Sequence, residues 1–286
     1  MSLNDVNQFP NDLNGGDSEA EGNPKTFKGW ALVAFIDLLG FSAEVAKSWN
    51  DPNNSPLDRL LRIKEAAADI PNAGTAFHAP GTPLFDPKVH KARVHTVSDS
   101  IVVSYALPSA GDLHHVTKAM TVVSQGVQMA WAAAIREGYT LRGAIDLGEI
   151  YWTESETIGP AFNSSYHLES KIAKTSRVIL GPVFLENLLS RINDDWPSWP
   201  SSEWYSVSYD NLIEISLLHL LEHRKENLDG LGKIKDKAGA HASRYDHALG
   251  VLRTGQFRKA NRNDFACGKA AIEALIADQK KCTNEH

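Results

Sequence analysis

One uninterrupted apolar run, Trp30-Ala31-Leu32-Val33-Ala34-Phe35-Ile36, passes a single acid, Asp37, continues through Leu38-Leu39 and stops at Gly40. Apolar residues at both alternating positions mark a strand buried on both faces, in the middle of a sheet. A lone carboxylate at the end of such a strand is expensive to desolvate, so its position is informative. A second acid, Asp99, stands in Val97-Ser98-Asp99-Ser100-Ile101-Val102-Val103, again at the lip of a strand-like segment. Two carboxylates held by adjacent strands are suited to clamping two divalent cations over a triphosphate.

The rest of the chain organises around that strand. Residues 1–26 are rich in Asn, Gly, Asp, Glu and Pro and read as a flexible tail. Ser42 is a candidate N-cap for a helix from Ala43. Pro56 to Ile70 reads as a second helix, and Pro71 to Lys91 as a Pro/Gly-rich loop. Ala92 to Thr96 and Ser100 to Ala106 are Val/Ile-rich strands with Ser98-Asp99 at the turn between them. Gly111 to Glu137 has helical periodicity, with Gly138 as its terminator. Leu141 to Tyr151 reads as a strand, Ala161 to Lys174 as a helix, Arg177 to Leu180 as a strand and Pro182 to Arg191 as a helix. The order β-α-β-β-α-β-α-β predicts an α+β, ferredoxin-like fold with a mainly antiparallel sheet flanked by helices. The expected units are the tail, a domain over 27–193, and a linker with a mostly helical C-terminal extension over 194–286.

Composition narrows the partners. The net charge of −6 gives no global drive toward nucleic acid or an anionic membrane. Two cysteines, Cys267 and Cys282, make no disulfide framework and no CxxC metal motif. The N-terminus lacks the basic and apolar regions of a signal peptide, and no stretch reaches the ~18 apolar residues of a membrane span. A cytoplasmic chain is expected. There is no phosphate-binding Gly-x-x-x-x-Gly-Lys loop, no dinucleotide Gly-x-Gly-x-x-Gly and no His-Glu-x-x-His.

Four segments, in order, resemble class III nucleotidyl cyclases. Phe35-Ile36-Asp37-Leu38-Leu39-Gly40-Phe41 is similar to the first metal-binding strand, Asp-x-x-Gly-Phe. Ser98-Asp99-Ser100 resembles the second. Leu141 to Gly148 matches the following strand, and Ile158 to Asn163 with Leu168-Glu169-Ser170 matches the dimer-arm helix. The resemblance implies a cyclase fold and two Mg²⁺ or Mn²⁺ per site, held by Asp37, Asp99 and the Leu38 carbonyl. Hard oxygen donors suit those ions. Backbone N–H groups around Leu39, Gly40 and Phe41, opening a helix, are suited to phosphate. Arg142 matches an arginine that holds triphosphate oxygens, and Asn163 the asparagine that orients the ribose. In a straight helix Asn163, His167, Lys171 and Lys174 share a face.

This chain departs from the family pattern in two places. The family's transition-state arginine, four residues after the asparagine, is replaced by His167, a weaker fixed cation. Either Lys171, Lys174 or Arg177 then substitutes for it, or turnover is slow. The two residues that read adenine elsewhere are His95 and Glu156 here, and the guanine-reading pair is absent too. The chain is most similar to the Pycsar group of bacterial anti-phage pyrimidine cyclases. That resemblance implies UTP or CTP as substrate and cyclic UMP or CMP as product, with a downstream effector gated by the cyclic nucleotide. It also implies a homodimer with sites at its interface: Asp37, Asp99 and Arg142 from one protomer, and His95, Glu156 and Asn163 from the other. An adenylate cyclase with a divergent base pocket, and an inactive nucleotide-binding regulatory module, are the competing readings. A polymerase-type palm also pairs carboxylates on this topology, but the acidic charge argues against a nucleic-acid substrate.

Overall fold

In the computed structural model, which describes residues 26–51, 55–68, 92–108, 113–190, 204–217, 224–254, 258 and 260–284, the apolar run becomes strand β1 (Phe27–Leu39). Its side chains alternate between two hydrophobic clusters. Leu32, Ala34, Ile36 and Leu38 enter the main core, while Ala31, Val33 and Phe35 enter a smaller cluster on the opposite face. Asp37 continues the second series, so its carboxylate emerges at the edge of the smaller cluster.

Strands β2 (Ala92–Val97) and β3 (Ser100–Leu107) form the expected hairpin, with Ser98 in the left-handed region at φ 53°. β1 runs antiparallel to β3 on one side and to β4 (Thr140–Trp152) on the other. A two-residue strand, β5 (Thr157–Ile158), turns back on the end of β4. Beyond β4 lies β6 (Val178–Leu180), the one parallel neighbour among the described strands. The sheet does not stop there. Within the stretch expected to be linker and helix, β7 (Tyr205–Val207) and β8 (Ile213–Ile215) add two strands. Among the described strands the order is β2-β3-β1-β4-β6-β8-β7, with β5 paired to β4 off this path.

Helices α1 (Phe41–Ser48), α2 (Pro56–Ala68) and α3 (Leu113–Arg136) follow the expected positions. Met120, Val123, Val127 and Trp131 of α3 fill the main core, and Gly138 ends the segment at φ 84°. One cap differs from expectation. α1 begins at Phe41, not Ala43, and Ser42 is exposed within it. Gly40 is the cap residue, at φ 91°, and its carbonyl accepts from the Glu44 N–H at 3.2 Å. Left-handed glycine lets the chain leave β1 and enter a helix without a side-chain cap.

The helix expected over Ala161 to Lys174 also differs. α4 (Pro160–Leu168) passes into a π-helical turn (Glu169–Ala173), and Lys174 then adopts φ 50°. The wider π turn breaks the four-residue spacing, so Lys171 and Lys174 do not continue the line of Asn163 and His167. Downstream come α5 (Pro182–Leu189), α6 (Arg224–Lys237), a 3₁₀ turn (Gly239–Tyr245), α7 (Asp246–Thr254) and α8 (Arg262–Asn284). α8 packs on α5, and α6 on α3. Among the described residues no helix is long and apolar enough to cross a membrane. The expectations for residues 1–25, 71–91 and 194–203 lie outside the described residues.

Candidate active site

Sheet register assembles the site. On β1, Asp37 pairs with Ser100 of β3 on one side and Arg142 of β4 on the other. Asp99 is the turn residue immediately before Ser100, and the Leu38 N–H donates to the Asp99 carbonyl at 3.3 Å. The two acids therefore sit side by side at one end of adjacent strands, as the sequence implied. Ser100 Oγ donates to Asp37 Oδ1 at 3.4 Å, and Arg142 Nη2 donates to Asp37 Oδ2 at 3.2 Å. Burial pushes the Asp37 carboxyl up to about 6, Asp99 adds to that rise, and Arg142 and Ser100 oppose it. Two acids that repel one another beside one arginine form an electron-rich oxygen pair suited to a hard divalent cation. The oxygen-donor chemistry of the pair fits Mg²⁺ or Mn²⁺, which Asp37 and Asp99 would hold through their carboxylates. Among the described residues no group of three or more His, Cys, Asp or Glu is arranged to hold a metal.

Beside this pair the chain turns through Gly40 into α1, which puts the start of that helix next to the acids. A Cβ at Gly40 would lie 3.0 Å from the Tyr245 hydroxyl, so the 3₁₀ turn packs directly over the loop. Leu38, Leu39 and Phe41 are buried and anchor the loop in the core. Lys64 of α2 feels the charge of Asp99, while burial pushes its ammonium below the ordinary range.

The site holds an acid that the sequence reading placed only in a matching segment. Glu169, 3% exposed, accepts from Arg142 Nε at 2.5 Å and also pairs with Arg142 Nη2 at 2.5 Å. Burial pushes its carboxyl up to about 7, with Arg142 opposing the shift and Asp37 adding to it. A signal was present. Glu169 sits among Ala161, Ser165, Leu168, Ile172 and Ala173, a buried inner column where an acid needs a partner.

His95 and Glu156, expected to read the base, meet in one local unit. His95 Nε2 lies 2.9 Å from the Thr153 carbonyl, and Nδ1 lies 2.6 Å from Thr157 Oγ1. The Thr153 carbonyl can only accept, so it fixes a proton on Nε2. Burial also holds the imidazole below its ordinary range. Thr153 and Glu156 close the turn through the Thr153 N–H to the Glu156 carbonyl, 2.9 Å, and the Glu156 N–H to Thr153 Oγ1, 3.0 Å. Both ring nitrogens of His95 are thus committed within the chain, while the Glu156 side chain is exposed.

Asn163 and Lys171 are exposed and His167 is half-buried. No hydrogen bond or ion pair joins any of the three to Asp37, Asp99 or Arg142. Arg177 is excluded as a substitute cation at the site. It is buried, bonds the Asp210 carboxylate at 2.8 Å, and donates to the Ala173 carbonyl at 2.9 Å.

No family model matches the chain, and no curated protein matches it. Solved structures do. A class III adenylyl cyclase-like ATP-binding protein from Pseudomonas aeruginosa is 15% identical, with a TM-score of 0.42 over 57% of this chain and 35% of its own. The monomeric guanylyl cyclase domain of the RhoGC fusion protein from Blastocladiella emersonii is 13% identical, with a TM-score of 0.44 over 68% of this chain and 98% of its own. An adenylate/guanylate cyclase/hydrolase from Silicibacter pomeroyi is 16% identical, with a TM-score of 0.37 over 66% and 96%. Each is a protein to which this chain is similar over part of its length.

Proposed function

We propose that the chain is a metal-dependent class III nucleotidyl cyclase acting on a pyrimidine nucleoside triphosphate, UTP or CTP. One observation carries the reading: sheet register sets Asp37 beside Asp99, with Arg142 directly across the strand. In the reaction the 3′-oxygen bonds to the α-phosphorus, the bond to pyrophosphate breaks, and the hydroxyl proton passes to solvent. Mg²⁺ or Mn²⁺ held by Asp37, Asp99 and the Leu38 carbonyl would supply acidification of that hydroxyl and charge neutralisation on the leaving pyrophosphate.

The chain's own residues do the rest. Arg142 binds triphosphate oxygens, and the N–H groups of Leu39 to Phe41 at the start of α1 hold phosphate. Asn163 orients the ribose from the partner protomer. His167, on the helix that carries Asn163, is the nearer substitute for the family's arginine in this reading, and Lys171 follows it in the π turn. Glu156 faces the base, and His95 acts through the turn it locks rather than through a free ring nitrogen. The site carries neither the adenine-reading nor the guanine-reading pair. A pocket fitted to the smaller ring leaves polar groups unpaired against a purine, a mechanism with large discriminating power. A bacterial anti-phage role with a cyclic-nucleotide-gated effector goes with this reading.

The test is incubation with each of the four nucleoside triphosphates and Mn²⁺, followed by mass spectrometry of the products. Cyclic UMP or cyclic CMP is the expected main product. Asp99→Asn should lower turnover by ~10³-fold or more while leaving the fold intact, because charge neutralisation at a transferring phosphoryl is worth several kcal/mol. Cyclic AMP as the main product from an equal mixture would replace this reading with a divergent adenylate cyclase. Tight binding without any cyclic product would replace it with a regulatory module.

A further inference from the structure

We infer that Glu169 is a positioning residue: it pivots Arg142 between Asp37 in the empty site and the triphosphate in the filled one. The inference rests on the cyclase reading of the same site. Three contacts define the pivot. Arg142 Nε and Nη2 both reach Glu169 Oε1 at 2.5 Å, whereas Nη2 reaches Asp37 Oδ2 only at 3.2 Å. The two arms are unequal in burial as well. The Glu169 side chain is 3% exposed, against 20% for Asp37.

A buried carboxylate stripped of its partner is strongly unfavourable, while a partly solvated one can exchange its partner. When another cation takes Asp37, the Asp37 arm is therefore the one that opens. The Glu169 arm keeps the guanidinium anchored through Nε. Among the described residues Nη1 of Arg142 has no hydrogen-bond or ion-pair partner, so its two N–H groups remain for phosphate oxygens.

Helical phase aims Glu169 inward. Its N–H donates to the Ser165 carbonyl, an α-helical bond, so Glu169 joins the buried Ala161, Ser165 and Leu168, and the π turn begins at this residue. The same turn follows α4, the helix that carries Asn163 and His167. Glu169 thus ties the helix that serves one half of a site to the arginine that serves the other half.

Without Glu169, Arg142 collapses onto Asp37, where it competes with the cation and leaves the triphosphate. The experiment measures kcat and KM for the triphosphate that the wild type cyclises, in Glu169→Ala and Glu169→Gln. Each is made with Arg142 present and in an Arg142→Ala background. Where turnover is too slow, equilibrium binding of that triphosphate in the presence of Ca²⁺ is read instead, and thermal melting checks folding.

Glu169→Ala should lower kcat/KM by about 100-fold, chiefly through KM, as a misplaced contact group does. Glu169→Gln keeps an acceptor for Nε and should lose no more than about fivefold, a neutral acceptor standing in for a charged one. In the Arg142→Ala background either change should matter by less than about twofold, since coupled residues share one effect. Equal losses in both backgrounds would make Glu169 merely structural and overturn the inference, as would a Glu169→Ala protein with wild-type KM. If Glu169→Ala does not fold, Glu169→Gln decides: a loss above about fivefold with Arg142 present, or a loss beyond about twofold that is as large in the Arg142→Ala background, overturns the inference. A wild type that neither cyclises nor binds any of the four triphosphates overturns the cyclase reading, and this pivot with it.

Discussion

Glu169 is also the residue at which pH should act on the empty protein. Its carboxyl is raised by burial to about 7 from an ordinary value of 4.5. The folded state therefore binds a proton more tightly than the unfolded state. Between about pH 4.5 and 7 the folded chain holds more protons, so unfolding free energy falls as pH rises through that window. Asp37, raised to about 6, acts in the same direction over a lower range. Thermal melting of metal-free protein should show the melting temperature falling from pH 5 to pH 7, and Glu169→Gln should flatten that slope. A steeper or unchanged slope in the variant would place the titration elsewhere. At this scale the sequence was informative where chemistry and strand end coincided, at Asp37, Asp99 and Arg142. It marked Glu169 only as an acid in a buried helical column, because the Arg142 pair that explains it spans 27 positions. His95 shows the opposite limit. Its position was legible, but the committed state of its two nitrogens came from Thr153 and Thr157, far along the chain.

At the scale of elements, the joint between β5 and α4 is tightly constrained by backbone. Gly159 has φ 141°, and a Cβ there would lie 2.7 Å from the Glu149 carbonyl oxygen and 2.8 Å from the Ile150 Cα. Both neighbours are backbone and cannot swing aside. Gly159→Ala should cost about 1–3 kcal/mol, the range for a residue forced into a glycine-only conformation. The end of β4 would have to shift, and with it the turn that locks His95 and presents Glu156. The expected result is a lower denaturant midpoint, together with a loss of discrimination among the four triphosphates. A variant with both properties unchanged would mean that the hairpin is free to adjust. Long elements such as β1 and α3 were readable because their periodicity persists over several turns or pairs. β7 and β8 were not. Each has three residues, almost all buried, which is too few for a period to show.

At the scale of the molecule, the C-terminal stretch belongs to the same core as the strands that carry the acids. β8 pairs with β6, Tyr205 packs edge-on to Phe265, and Tyr245 packs over Gly40. A composition rich in Trp, Pro and Ser at 194–206 pointed to a linker, yet the long-range pairing that follows is invisible in composition. A site within one chain is then the simplest arrangement only if every participant converges, and Asn163 does not. It lies exposed on α4, on the side of the sheet where Ile158 and Tyr166 are also exposed, 55% and 52%. In the proposed homodimer each Asn163 would serve the other chain's Asp37 and Arg142, giving two equivalent sites. Asp37→Ala and Asn163→Ala proteins should each be inactive alone. Mixed in equal amounts after subunit exchange, half the dimers are heterodimers, and each heterodimer has one fully native site of two. Recovered activity should therefore approach about a quarter of wild type. Demonstrated heterodimers with no recovery would place Asp37 and Asn163 in a site within one chain.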